Sequence, residues 1–238
     1  MFAHVTLRVS DLEASARFYD TVLGRLGIER TCDGDDLAEW DEFSVAPADR
    51  GVTRRLHIGF AAPSRAEVDA FWQAGTEAGH RDDGPPGPRP QYVEDYYGSF
   101  LLDPDGNSAE AVRHGEMRGG MIDHLWLRVA DVDASARFYE TIAPHAGFHD
   151  VVRHGPDHLQ CVGARASFSL VAGEPTEHAH MAFPGDDDAV RAFHRAATAA
   201  GYRDNGGPGE RPEYHPGHYG AYVLDPDGNT IEVVNHNR

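Results

Sequence analysis

The sequence predicts an α+β protein in which a strand, a helix and further strands recur four times, giving antiparallel or mixed sheets with helices on one face. Two observations predict it: the chain is duplicated, and each copy opens both of its halves with an alternating strand followed by an amphipathic helix. The duplication is read directly. HVTLRVSDLEASARFYDT from His4 returns as HLWLRVADVDASARFYET from His124, and LHIGFAAP around His57 returns as AHMAFPGD around His180. GHRDDGPPGPRPQY (79–92) returns as GYRDNGGPGERPEY (201–214), and the turn-and-strand DPDGNSAEAV returns as DPDGNTIEVV. The offset is 120 residues between His4 and His124, 123 between His57 and His180, and 122 between Glu110 and Glu232. Two domains follow, 1–115 and 121–238, joined by a polar, Gly-rich linker at 116–120.

Within the first copy a strand from His4 to Ser10 precedes a helix over DLEASARFYDTVLGRLG. Ser10 and Glu13 are placed as its capping box, and Leu12, Ala16, Tyr19, Leu23 and Leu26 form its apolar stripe. The pair Phe18-Tyr19, repeated at Phe138-Tyr139, reads as helix core. Short strands are expected near 28–32 and 39–45, and a second unit opens with a strand from Arg55 to Ala61. Its helix begins at Ser64, capped with Glu67, and turns Val68, Phe71, Trp72 and Gly75 inward. A Pro/Gly-rich loop then leads to a hairpin whose DPDG turn has Pro and Gly where such a turn needs them.

Side chains two apart on a strand share a face. Val5, Leu7 and Val9 therefore oppose His4, Thr6 and Arg8, while Leu125, Leu127 and Val129 oppose His124, Trp126 and Arg128. His57 lies opposite Leu56 and Ile58, and His180 opposite Ala179 and Met181. Glu110 opposes Ala109 and Ala111, and Glu232 opposes Ile231 and Val233. Helices must cover the apolar face, so two imidazoles and one carboxylate per copy point to the other side. Two His and one carboxylate are the donor set that holds Fe(II) while leaving positions open. Fe(II) is the favoured divalent ion, with Mn, Zn, Ni or Co as alternatives. One anionic donor offsets only part of a divalent charge, which leaves the ion a Lewis acid for water or a chelating substrate.

Composition narrows the partners. The 238 residues carry 21 basic and 39 acidic side chains, a net charge of −18 with His neutral. That argues against nucleic acid or an anionic membrane surface as partner, because phosphate contact needs clustered Lys and Arg. The expected partner is a small-molecule substrate. No stretch approaches the roughly 18 apolar residues of a membrane helix. The first residues lack a basic region followed by an apolar run, and the two cysteines, Cys32 and Cys161, build no disulfide framework. A cytoplasmic protein is expected, either a monomer that is internally a pseudo-dimer or a homodimer.

With these residues the chain resembles the vicinal oxygen chelate superfamily, which includes glyoxalase I, type I extradiol dioxygenases, fosfomycin-resistance enzymes and bleomycin-binding proteins. The resemblance covers nearly the whole chain. It implies tandem paired βαβββ modules, four in all, whose curved mixed sheets enclose a cavity with helices on the outer face. It also implies ligands from the first strand, the strand opening the second module and the last strand. These fall on His4, His57 and Glu110 in copy one and on His124, His180 and Glu232 in copy two. Ligands are exchanged between copies in some relatives and not in others, and either arrangement yields two triads.

Three details bear on the chemistry. Bacterial glyoxalase I resembles this pattern with a fourth ligand, a Glu, where the FSV and FSL segments here carry Ser44 and Ser169. The extradiol signature matches copy two at Tyr222, Asp225, Pro226, Gly228 and Glu232, whereas copy one has Phe100 in place of the tyrosine. The non-ligand His of that family has no counterpart around Arg165. Tyr222 is thus a catalytic candidate, with His215 or His218 of PEYHPGHYG as an acid/base; the competing reading is a solvated loop. Arg8 and Arg128 are candidates for a substrate oxyanion or for outward ion pairs. Trp126, Tyr214 and Tyr219 are candidate substrate contacts. Two functions remain: a metal-dependent enzyme of dioxygenase or lyase/isomerase type, better placed in copy two, or a bleomycin-resistance-type protein that binds a small molecule without chemistry.

Overall fold

In the computed structural model, the residues described are 1–115, 117, 119–148 and 150–237, apart from the side chain of Asp33. Residues 116 and 118 of the predicted linker lie outside them. The first copy contributes β1 (His4–Val9), α1 (Leu12–Leu23), β2 (Cys32–Asp33), β3 (Ala38–Trp40) and β4 (Phe43–Pro47). Its second half contributes β5 (Leu56–Ala61), α2 (Arg65–Glu77), β6 (Arg81–Pro88), β7 (Tyr97–Leu102) and β8 (Ser108–Arg113). The second copy begins with β9 (Ile122–Val129), α3 (Val132–Ala146), β10 (Asp150–Gly155), β11 (His158–Val162) and β12 (Ser167–Ala172). It closes with β13 (Ala179–Pro184), α4 (Asp187–Ala199), β14 (Asp204–Glu210), β15 (Tyr219–Leu224) and β16 (Thr230–Asn235).

These strands form two mixed eight-stranded sheets, each built from half of one copy and half of the other. One runs β14-β15-β16-β13-β1-β4-β3-β2, the other β10-β11-β12-β9-β5-β8-β7-β6. Inside each half the opening strand pairs in parallel with a later strand, as β1 does with β4 and β13 with β16. The seams are antiparallel: β1 joins β13, and β5 joins β9. A second cross-copy contact locks the seams. Thr53 Oγ1 donates to the His178 carbonyl while accepting from the Arg8 amide, and Thr176 Oγ1 does the same between Arg55 and Arg128.

The alternating patterns resolve as predicted, with Val5, Leu7, Val9, Leu125, Leu127 and Val129 at 1% exposure or less. Against them the helices lay Phe18, Tyr19, Val22, Phe71 and their counterparts Phe138, Tyr139, Ile142 and Phe193, all fully buried. Tyr19 packs edge-on against Phe43 at 4.6 Å, and its hydroxyl donates to Asp103 of the DPDG turn at 3.1 Å. Tyr139 repeats this bond with Asp225 at 3.4 Å. The turns need Gly106 and Gly228, whose φ values of 88° and 91° only glycine adopts without strain. Ser64 caps α2 as expected, accepting from the Ala66 amide, and its hydroxyl meets Glu67. The predicted capping box at Ser10 does not form. Asp11 is the N-cap of α1, accepting from Ala14, because the Ser10 hydroxyl is drawn off to Asp105 of the first turn.

The cysteines differ in environment: Cys32 is exposed and Cys161 is fully buried, its thiol pKa pushed up first by burial and then by Glu140. One equivalent of thiol per chain is expected to react rapidly with a disulfide reagent in the native protein, and the second only on unfolding. Two equally fast thiols in stopped-flow absorbance would contradict this packing.

Candidate metal centres

Seam register decides which donors meet. On one seam His4 sits opposite Ala182, and Ala182 sits opposite Glu232 on the next strand. On the other, His124 sits opposite Gly59, and Gly59 opposite Glu110. Neighbouring strands are about 4.8 Å apart, so a His and a Glu on either side of one strand close over it only if the residue between them is small. His180 and His57, two residues before Ala182 and Gly59, share that face and complete each set. The result is one centre of His4, His180 and Glu232 and another of His57, Glu110 and His124. The two copies therefore exchange a first-strand histidine: each triad takes two donors from one copy and one from the other.

The His57 centre is closed on all three sides. His57 Nε2 lies 3.0 Å from Glu110 Oε2 and 3.2 Å from His124 Nε2, and His124 Nε2 lies 3.3 Å from the same carboxylate oxygen. Three donors at right angles, each about 2.1 Å from one ion, would stand roughly 3.0 Å apart, so this triangle fits a facial triad. The outer nitrogens are fixed as well. His124 Nδ1 donates to Asp123 Oδ2 at 2.8 Å. His57 Nδ1 meets Ser108 Oγ at 3.1 Å, and Ser108 in turn donates to Asp83 at 2.8 Å, so the hydroxyl accepts from the ring. Both Nε2 atoms are thereby turned toward the shared point. Tyr96 donates its phenol hydrogen to the other oxygen of Glu110 at 2.8 Å, and His114 stacks on Tyr96 and reaches Asp123 at 3.2 Å.

Burial raises the pKa of Glu110, but hydrogen bonds from His124 and His57 outweigh it and hold the carboxylate below its ordinary value. Burial lowers that of His124, yet Asp123 and Glu110 together bring it up to about 9. In the first centre Glu232 Oε2 is 2.8 Å from His180 Nε2 and 3.3 Å from His4 Nε2, and its Oε1 is 3.2 Å from His218 Nε2. Burial lowers the pKa of His180 more than Glu232 raises it, and Glu232, against the cost of burial, is held well below its usual range by His180, His218 and His4.

A cavity of about 790 Å³ opens over the His57 centre, bounded by Tyr92, Phe100, Trp126, His154, His158 and Gln160. Trp126 lies 5.4 Å from the His158 ring, and His158 Nε2 meets Ser169 Oγ at 3.0 Å. The counterpart Ser44 is occupied with Thr6 at 2.8 Å. Tyr222 sits beside the His4 centre, 3.4 Å from His218 Nε2, with its pKa raised by burial and then by Glu232; the phenol stays protonated. His218 and His215 lie in the same region, and Tyr214, 63% exposed, packs its ring 4.9 Å from His218. Arg8 lies near enough to His180 for its charge to add to the lowering there. Arg128 is exposed against Gly173. Tyr219 is the one candidate turned away. It packs on the core and accepts from Arg191 of α4 at 3.2 Å, because it shares the face of Ala221 and Val223 rather than that of Tyr222.

The sequence reading missed Gly59, Asp123, Tyr96, His114 and His236. Asp123 could have been found as the acid preceding a ligand histidine, and Gly59 as the small residue two steps beyond one. A Cβ on Gly59 would stand 2.4 Å from His124 Cε1. Gly59→Ala is therefore expected to weaken divalent-metal affinity at this centre by at least about tenfold, through His124 alone. Titration against a chromogenic chelator would show it, and unchanged affinity would contradict the packing.

A family model described as the Glyoxalase/Bleomycin resistance protein/Dioxygenase superfamily matches residues 1–111 and again 121–233. The chain belongs to this superfamily. Among solved structures, glyoxalase I from Zea mays superposes with a TM-score of 0.69 at 19% identity, covering 99% of this chain and 92% of that one. A candidate dioxygenase from Bacillus subtilis superposes at 0.67 with 16% identity, over 100% of this chain and 85% of that one. A glyoxalase/bleomycin resistance protein from Albidiferax ferrireducens is 36% identical over 48% of this chain and 99% of its own, with a TM-score of 0.45. No curated protein matches the chain. The first two similarities establish the paired-module fold; they assign no substrate.

Proposed function

We propose that the protein is a divalent-metal-dependent enzyme whose reaction takes place at His57, Glu110 and His124, on a small substrate that offers two adjacent oxygens. The observation that carries this reading is the near-equilateral triangle of three donors, with sides of 3.0, 3.2 and 3.3 Å, at the base of a roomy cavity. A bound ion would supply Lewis-acid polarisation of oxygens and open positions for a chelating pair. The chain's own residues do the rest. His57 and His124 present fixed Nε2 atoms, Glu110 brings the one anionic donor, and Tyr96 holds that carboxylate in place. Trp126, Phe100 and Tyr92 exclude water and bind an apolar body by its face. His158 and Gln160, farther up the wall, give a polar end to a longer substrate. Dioxygenase and lyase/isomerase steps are both compatible with this donor set, and Fe(II) is the favoured ion with Mn, Zn, Ni and Co as alternatives.

The test is anaerobic reconstitution with each metal, followed by a panel of catechols and dicarbonyl-derived substrates, with Glu110→Gln as the control. Turnover that depends on metal and disappears in Glu110→Gln supports the proposal. A chain that stays metal-free in every reconstitution, or that binds a panel member tightly and returns it unaltered, overturns it; the second result favours small-molecule sequestration.

A further inference from the structure

The two centres are not equivalent, and the difference is concentrated in three histidines. Beside the His4 centre, His215, His218 and His236 each bring one ring nitrogen to within 4.8 Å of the others. His215 Nε2 stands 2.9 Å from His236 Nδ1, a separation two imidazoles show when they share one ion at about 2.0–2.1 Å from each. The far nitrogen of His215 donates to the Pro216 carbonyl at 2.9 Å, the outer bond that orients a ligating histidine. The remaining member, His218, is 4% exposed and lies 3.2 Å from Glu232 Oε1. Glu232 is thus engaged on both sides: Oε2 faces His4 and His180, and Oε1 faces His218. At the other centre the matching residues are Val93, Tyr96 and His114, of which Val93 offers no donor and Tyr96 presents a phenol to Glu110. His114 there is committed to Asp123.

We propose that His215, His218 and His236 hold a further divalent cation, joined to the one in the His4 centre by the Glu232 carboxylate, so that one half of the molecule carries a two-ion centre and the other a single ion. Three neutral imidazoles and a shared carboxylate suit zinc, nickel or cobalt better than calcium or magnesium. The bridge rests on Glu232 being a ligand of the His4 centre; the three-imidazole cluster does not.

The experiment is zinc loading of the full chain, removal of loose metal by gel filtration, and elemental analysis. Three equivalents per chain are expected in the native protein and two in His215→Ala or His236→Gln, with near-native far-UV circular dichroism required of each. Glu110→Gln and Glu232→Gln are each expected to lose one equivalent from their own triad, and Glu232→Gln is also expected to weaken, without emptying, the three-imidazole site that shares the carboxylate. X-ray absorption at the zinc edge is expected to show metal–metal scattering at about 3.5–4 Å, the spacing of paired-metal sites, and to lose it in His215→Ala. Two equivalents in the native chain, unchanged by His215→Ala and His236→Gln, would overturn this inference and leave the proposed function standing. Zinc at the three histidines with none at either triad would overturn the proposed function and the bridge, leaving the cluster as an isolated site.

Discussion

Replacing His4 and His180 together by alanine is expected to empty one metal centre and leave the other at native affinity. Replacing His4 and His57 together is expected to damage both. The two pairs separate the spatial arrangement from the order of the sequence. His4 and His57 belong to the same copy but to different sheets, whereas His4 and His180 face each other across the β1–β13 seam, their rings 5.1 Å apart and nearly perpendicular. Each triad has two imidazoles and one carboxylate, so losing both imidazoles leaves the triad a single ligand, too few to hold an ion there against competing water, whatever the neighbouring histidines His215, His218 and His236 retain. The measurement is cobalt(II) titration followed by its visible absorption, with chelator competition to separate tight from weak sites. If His4→Ala/His57→Ala kept one native-affinity triad while His4→Ala/His180→Ala damaged both, the ligands would be grouped by copy and the seam register would be wrong.

That result depends on a distinction the sequence leaves open. Alternation along each strand puts His4, His57, His124, His180, Glu110 and Glu232 on the face away from the apolar one, where they gather in two clusters, because period two is a local property. Duplication located the strands, and the DPDG turns fixed where the last one starts. Both grouped-by-copy and exchanged ligand sets satisfy those patterns equally, since the residue types are the same. The choice is made by the seams β1–β13 and β5–β9, which pair segments more than 60 residues apart and leave no short-range periodic mark. Gly59 and Ala182 are the trace of that pairing in the sequence, as small residues beneath crossing side chains, but their meaning emerges only when the neighbour strands are known.

The position of the cavity was hidden for a related reason. Tyr222 matched a signature and drew attention to copy two, while the cavity of about 790 Å³ lies over Glu110 of copy one. One of its walls is built by the other copy: the β10–β11 hairpin of copy two carries His154, His158 and Gln160 over the His57 centre. The corresponding hairpin of copy one, β2–β3, is only two and three residues long. The length of the hairpin strands, six and five residues against two and three, shapes this side of the site, and ligand identity does not. The misplaced capping box has a simpler origin. Ser10 and Asp11 are both good N-caps, and local spacing could not reveal that Asp105, 95 residues away, takes the serine hydroxyl.

Metal affinity at the His57 centre is expected to rise about tenfold per pH unit between pH 7 and 9, roughly a hundredfold over the range. The cause is His124. In the metal-free chain burial pushes its pKa down, but the bonds to Asp123 and Glu110 bring it up to about 9, so at pH 7 a proton occupies the nitrogen the ion needs. Each unit of pH below 9 makes displacing that proton ten times harder. His180, the burial-lowered imidazole of the other centre, is already neutral across this range and adds no such slope. The same proton affects stability. Because the folded chain holds it more tightly than the unfolded one, whose histidine titrates near 6.5, its contribution is fully present below pH 6.5 and is lost as pH rises through about 9. The difference of about 2.5 pH units corresponds to on the order of 3 kcal/mol. The metal-free protein should therefore melt at a lower temperature at pH 9 than at pH 6.5, while the loaded protein, in which an ion replaces the proton between the same three donors, should show a smaller drop. Asp123→Asn removes the stronger of the two bonds that raise His124 and is expected to flatten the affinity slope between pH 7 and 9. Chelator competition at pH 7, 8 and 9 on both proteins decides it: an Asp123→Asn slope as steep as the native one would mean that the proton being displaced does not reside on His124.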